Sequence, residues 1–232
     1  MPFFLDKRQN HLKELMDDPR CDLRKLENTY RSFKTINKLL SGWKTIYKSQ
    51  IRPFLKRNSG TASILDIGFG GGDVSILLSE LAKKDGFHLE ITAIDIDERS
   101  FNFVQKIDTP DNIIFRKSNS ASLVAEHNKF DFIISNHVTH HLNKDSFLSL
   151  CDDAEQLALQ KILFNDIERS DFGYLFFFLF SKLFFRDSFI SYDGLISIKR
   201  SYTFQELQEE APPGWQVNHL FPFRLVLSYE CE

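Results

Sequence analysis

The chain has little cysteine, no long apolar run and no surplus of positive charge, and each shortage removes a class of protein. Its three cysteines, Cys21, Cys151 and Cys231, are odd in number, far apart and without metal-ligand spacing. That excludes a disulfide-held scaffold or a structural zinc module and suits a reducing compartment. The most apolar stretch, Leu175 to Phe180, is interrupted by Ser181, Lys182, Arg186 and Asp187, well short of the ~20 residues that cross a bilayer. A formal charge of -3 with no long basic tract gives no global pull toward nucleic acid. The opening MPFFLDKRQN lacks the charged region, apolar run and cleavage site of an exported protein, so a cytoplasmic location is expected. No internal repeat or low-complexity linker is visible.

What is present fits one compact domain with an N-terminal extension. At 42% hydrophobic and 14% aromatic residues, 232 residues can bury a full core. From about Asp6 to Arg57 the spacing predicts helices, with Leu12, Leu15 and Met16 on one stripe and Tyr30, Phe33, Ile36, Leu39 and Leu40 on another. The Asp17-Asp18-Pro19 break separates them. From Ser63 to Asp166 strands and helices alternate, the pattern of a doubly wound parallel sheet. KILFNDI, Lys161 to Ile167, supplies a fifth strand. A Phe-rich segment then departs from the alternation, SYTFQELQEEA restores a helix, and WQVNHLFPFRLVLSYE reads as two closing strands joined at Pro222.

The segment ILDIGFGGGDVSILL points to a ligand. Ile64, Leu65 and Ile67 make an apolar strand, the glycines between 68 and 72 permit close ligand approach, and Val74, Ile76, Leu77 and Leu78 suit a packed helix. Two glycine fingerprints compete here. A dinucleotide site would place Gly or Ala at position 73, where this chain has Asp73. A carboxylate at Asp66 would also repel a pyrophosphate. A cationic sulfonium with an amino group reverses that argument. Asp73 can equally cap the following helix or face the ligand.

With Asp66, Gly68, Gly70 and Gly72 in an acidic-x-Gly-x-Gly-x-Gly pattern, the chain resembles the class I S-adenosylmethionine-dependent methyltransferases, from about Ile64 to the C-terminus. The resemblance implies a Rossmann-like, doubly wound, seven-stranded and mostly parallel sheet closed by an antiparallel hairpin. It implies a helical cap over residues 1–60, a methyltransferase domain over 61–232 and a substrate lid over 168–200. HLEITAIDID is similar to the second motif, which puts Asp95 on the ribose hydroxyls beside Ile96, with Asp97 the better helix cap. NIIFRKSNSASL is similar to the third motif, with Ser118 and Asn119 where the family has glycine and an acidic residue, so that Asn119, beside Ser120, accepts from the adenine amine. FDFIISNHVTHHL looks like the fourth motif, which brings Asn136 and His137 to the cofactor.

Methyl transfer mainly needs the nucleophile held at near-attack distance, and a base helps when it is a hydroxyl. His137, His140 and His141 have i, i+3, i+4 spacing and can share a face on a helical turn. His141 and His140 are the candidate bases, with Asp166 orienting a histidine or a substrate hydroxyl; capping or packing of the turn is the plain alternative. A metal is not expected, because three histidines on one turn converge poorly and no second cluster completes a site. Glu168 and Arg169 suit a surface ion pair.

Tyr30, Phe33 and Trp43 are placed to cover the cofactor, and Phe177, Tyr192 and Asp193 to line an acceptor pocket, the last two in a SYDGL turn. The Phe-rich segment suits a lid over an apolar or aromatic acceptor, plain packing against the N-terminal helices, or peripheral contact with a membrane. The expected activity is O-methylation of a phenolic or enolic hydroxyl in secondary or quinone-type metabolism. C- or N-methylation, a nicotinamide-dependent oxidoreductase and a non-catalytic cofactor-binding module are the alternatives.

Overall fold

The computed structural model describes residues 2–185 and 187–231; Arg186 and the side chains of 182–184 lie outside that description. The alternation read from Ser63 onward folds as β1 (Thr61–Ile67), α4 (Asp73–Lys84), β2 (His88–Asp95), α5 (Glu98–Val104), β3 (Ile113–Lys117), α6 (Ser120–Ala125), β4 (Phe130–Asn136), α7 (Lys144–Leu157) and β5 (Ala158–Ile167). Then come α8 (Asp171–Phe184), α9 (Ile190–Arg200), α10 (Phe204–Glu210), β6 (Gln216–Leu220) and β7 (Arg224–Glu230). The sheet runs 3-2-1-4-5-7-6, parallel except where β7 joins β5 and β6. Strand order reverses between β1 and β4, the place where open α/β sheets leave a crevice at their carboxyl ends.

Both faces of the sheet are buried, which is why its strands read as apolar runs. On one face Ile64, Ile91, Phe132 and Leu163 pack with Leu78 of α4 and with Trp43, Tyr47 and Leu55. On the other, Leu65, Ile133, Phe164 and Leu227 pack with Phe147 and Leu150 of α7 and with Trp215.

The N-terminal part is helical later than its pattern predicts. α1 begins at Leu23, where the Asp22 carboxylate accepts from the amides of Arg24 and Lys25, and runs to Leu40. α2 (Trp43–Ile46), a π-helical turn (Tyr47–Ile51) and α3 (Arg52–Arg57) follow. Before them only Leu15–Asp17 forms a 3-10 turn. The amides a helix would have used are spent on α8 and α9: Leu5 donates to Asp171, Gln9 to the Lys199 carbonyl, and Leu15 and Met16 to the Asp193 carboxylate. Arg169 holds this strap as well, through Nε to the Leu5 carbonyl. Arg169 is buried and pairs with Glu206 at 2.6 Å, while Glu168 meets His219, so the expected surface pair between neighbours is replaced by two separate contacts.

The 14 residues of α8 span roughly 21 Å, and no helix among the described residues is long and apolar enough to cross a membrane. Phe147 is fully buried between α7 and the sheet. Phe147→Ala is expected to cost about 3 to 5 kcal/mol in urea unfolding; a loss below about 1 kcal/mol would show that this layer is not packed as described.

Candidate active site

A cavity of about 1000 Å³ opens at the carboxyl ends of β1, β2 and β4. Its β1–β2 end is acidic. Asp66 is 1% exposed and accepts from Ser75 Oγ at 2.6 Å; burial pushes its carboxyl up to about 7. Asp73, pushed by burial to about 6, accepts from Asn37 Nδ2 at 2.9 Å rather than capping α4, whose cap is Gly72. Asp95, raised by burial, accepts from the Gly70 amide at 2.9 Å and the Asp97 amide at 2.9 Å. Asp97 caps α5, as its position predicts. A carboxylate with one partner on each oxygen keeps lone pairs free, so Asp95 can still receive ribose hydroxyls.

The glycines divide by role. Gly70 has φ +52° and nothing within 4 Å of where a Cβ would stand, an open cradle on the cavity. Gly68 also lines it, against Val138. Gly72, expected at the cofactor, turns away: at φ +74° its absent Cβ would stand 3.0 Å from Phe115, so its task is helix-on-strand packing. These residues fit an S-adenosyl group, which brings positive charge and no phosphate to a set of acids that burial has made reluctant to ionise.

Ile96, Asn119, Ser120 and Asn136 also reach the cavity wall, but three of them have other duties. The Asn119 carbonyl oxygen caps α6, accepting from Ser122 N and Oγ, which displaces the expected contact to an adenine amine. Ser120 Oγ donates to Asp153. Asn136 Oδ1 accepts from Trp43 Nε1 at 2.9 Å and from Asn165 Nδ2 at 3.0 Å. Trp43 is thereby core, fully buried rather than over the cofactor.

The three histidines do not share one face. Only Thr139–His141 forms a 3-10 turn; His137 precedes it at φ 61° and its Nε2 accepts from Arg224 Nη1 at 2.5 Å. Burial and that guanidinium hold His137 neutral, well below the usual histidine range. His140 is 1% exposed, with Nδ1 2.7 Å from Asp166 Oδ1. Burial opposes its charge, but Asp166 and Glu14 raise it to about 9. Its Nε2 has no hydrogen bond, the nearest acid being Glu14 Oε1 at 3.4 Å. His141 stands 3.5 Å from Asp17 and 3.7 Å from Glu14. Asp166 does not line the cavity; it sits behind His140, against Nδ1.

Tyr30, Phe33 and Phe177 line the cavity, and Tyr30 OH bonds Ser100 Oγ. Tyr192 does not line it: SYDGL is part of α9 rather than a turn, and Tyr192 points out at 52% exposure. Asp193, on the inward side of α9, lines the cavity and holds the strap. Of the α8 phenylalanines, Phe176 and Phe177 line the cavity, while Phe172 is largely exposed.

Glu14, Asp17, Arg200 and Arg224 carry no local motif, yet Glu14, Asp17 and Arg224 line the cavity and Arg200 pairs with the two acids. Glu14 lies 3.4 Å from His140, 3.7 Å from His141 and 3.8 Å from Arg200, although nearly two hundred residues separate it from the last. Glu14, His140 and His141 each offer a ligand atom within 4.8 Å of the others, a convergence the turn alone does not produce. Arg200 and the charged His140 already balance the acids there.

A family model described as a methyltransferase domain matches residues 64–158. Similar solved structures include the plantazolicin methyltransferase BpumL with S-adenosylhomocysteine, at 15% identity, TM-score 0.65, and 94% and 93% coverage of this chain and that one. The same enzyme with a monoazolic desmethylPZN analog gives 12%, 0.60, 90% and 95%. Magnesium protoporphyrin IX methyltransferase from Synechocystis PCC 6803, with S-adenosylhomocysteine, gives 15%, 0.50, 83% and 84%. At such identities the likeness establishes the fold alone. No curated protein sequence matches the chain.

The two glycines separate binding from stability. Gly70→Ala is expected to weaken S-adenosylhomocysteine by tenfold or more in calorimetry with a stability loss of about 1 kcal/mol. Gly72→Ala should lose about 1 to 3 kcal/mol in urea unfolding with far less effect on binding. The opposite pattern would exchange the roles of the two glycines.

Proposed function

We propose that this chain, whose residues 64–158 match a methyltransferase-domain model, is a class I S-adenosylmethionine-dependent methyltransferase that methylates the oxygen of a small aromatic or otherwise apolar acceptor, a phenolic or enolic hydroxyl. When bound, S-adenosylmethionine supplies an electrophilic methyl group on a sulfonium. Asp95 is the group for the ribose hydroxyls, the open side of Gly70 admits the cofactor backbone, and Asp66 and Asp73 favour its positive charge.

The observation that carries the acceptor assignment is His140. Asp166 fixes its Nδ1, and its Nε2, buried at the cavity wall, lacks a hydrogen bond. In the neutral form of His140, an acceptor hydroxyl donating to Nε2 supplies one. A histidine near 9 is close to a phenol near 10, so the proton passes between nearly matched partners. His137 is not the base, since its Nε2 lone pair is taken by Arg224. Phe33, Phe177 and Phe223 provide apolar wall, which selects the acceptor and keeps water out. The acceptors named for two structural neighbours, magnesium protoporphyrin IX and plantazolicin, are in keeping with a small-molecule acceptor.

The base form of His140 grows as pH rises. With any phenol that turns over, kcat/KM is therefore expected to climb about tenfold per pH unit and level off near 9. Asp166→Asn should move that inflection down toward the ordinary histidine value of 6.5 and lower the plateau by about a hundredfold. An inflection unmoved by Asp166→Asn, or a flat profile from pH 6 to 9, would remove His140 as the base.

A further inference from the structure

Arg224, the first residue of β7, carries a charge that nothing nearby uses. Among the described residues three arginines are buried, Arg169, Arg200 and Arg224. Arg169 pairs with Glu206 and Arg200 with Asp17, whereas Arg224 has no carboxylate within 4 Å among the described residues. It is 5% exposed and lines the cavity. Its Nε donates to the Leu40 carbonyl at 3.2 Å and its Nη1 to His137 Nε2; both partners are neutral, and Nη2 has none among the described residues. Burial lowers the guanidinium only to about 10, so it remains a cation at neutral pH. The acid whose charge steadies it from beyond ion-pair distance, Asp166, is committed to His140 and Thr139.

A buried cation without a counter-ion is costly to maintain, and the open N–H groups of a planar fork match a carboxylate. The sheet order decides whose carboxylate. β4 and β5 stand between β7 and β1, so Arg224 lies on the His140 side, away from the acidic end formed by Asp66 and Asp95. We propose that Arg224 anchors an ionised carboxylate on the acceptor, which makes the acceptor an aryl acid rather than a neutral phenol. The His137 ring, which bonds Arg224, is 6.1 Å from the His140 ring between centroids, so the anchor and the reacting hydroxyl can belong to one substituted ring. The inference rests on the methyl-transfer reading for what the cavity holds.

The test uses benzoate and its neutral isostere benzamide as probes, titrated into the full chain with and without S-adenosylhomocysteine. The wild type should prefer benzoate by about tenfold or more, Arg224→Gln should lose that preference, and Arg224→Lys should keep part of it. Equal binding of the two probes to the wild type, absence of benzoate binding, or a preference that survives Arg224→Gln would overturn the proposal. So would a loss in Arg224→Gln of affinity for S-adenosylhomocysteine but not for 5′-methylthioadenosine, which lacks the carboxylate; the cofactor would then be the partner. Should Arg224→Gln not fold, the wild-type comparison and Arg224→Lys decide. The S-adenosylhomocysteine titration of the wild type reports separately on the methyl-transfer reading, since benzoate preference does not require that ligand.

Discussion

The acceptor side of the site depends on one buried carboxylate. Asp166, at the end of β5, accepts from Thr139 Oγ1 at 2.6 Å, from the His140 amide at 2.9 Å, from His140 Nδ1 at 2.7 Å and from the Ile167 amide at 2.7 Å. These bonds tie the turn after β4 to the neighbouring strand and fix the tautomer and direction of His140. Burial alone would raise Asp166; the charge of and hydrogen bond from His140 hold it far below the usual carboxylate range, while His140 is raised to about 9. The signs fix the pH window. What Asp166 contributes is present above its ordinary value of 3.8, and what His140 contributes is complete below 6.5 and lost as pH passes about 9.

Charge divides the cavity in two. Asp66, Asp73 and Asp95 gather at the β1–β2 end, where burial raises all three, an environment that penalises a pyrophosphate and welcomes a cation. Across β4 stand His140 and Arg224, both cationic at neutral pH. The N-terminal strap adds Glu14 and Asp17 beside His141 and Arg200. Such a division suits a cationic cofactor at the acidic end and, on the proposed reading, an oxygen acceptor at the other.

Local patterns carried most of the fold in the sequence. The apolar runs of β1 and β4, the glycine turn and the two closing strands read directly, because strands buried on both faces leave continuous apolar stretches and turns need glycine. That Asp66, Gly70, Asp95 and His140 line one cavity was legible because their places follow from the ends of β1, β2 and β4. The strap was not. Leu12, Leu15 and Met16 have helical spacing, yet amides of this segment go to Asp193 and Asp171 on α9 and α8, a competition that only tertiary structure reveals. Glu14 and Arg224 escaped for a similar reason: each meets the histidines from a segment remote in sequence, and neither carries a local motif. Asn119 and Gly72 read as ligand contacts because helix capping and helix packing use the same residue types at the same strand ends.

The decisive measurement is calorimetric titration of S-adenosylhomocysteine into the wild type and into Asp95→Ala. Binding is expected in about the micromolar range and should weaken tenfold or more in the variant, as the loss of hydrogen bonds to a charged group implies. No binding to the wild type would contradict a cofactor site at the β1–β2 end, and equal binding to both proteins would remove Asp95 from the ribose.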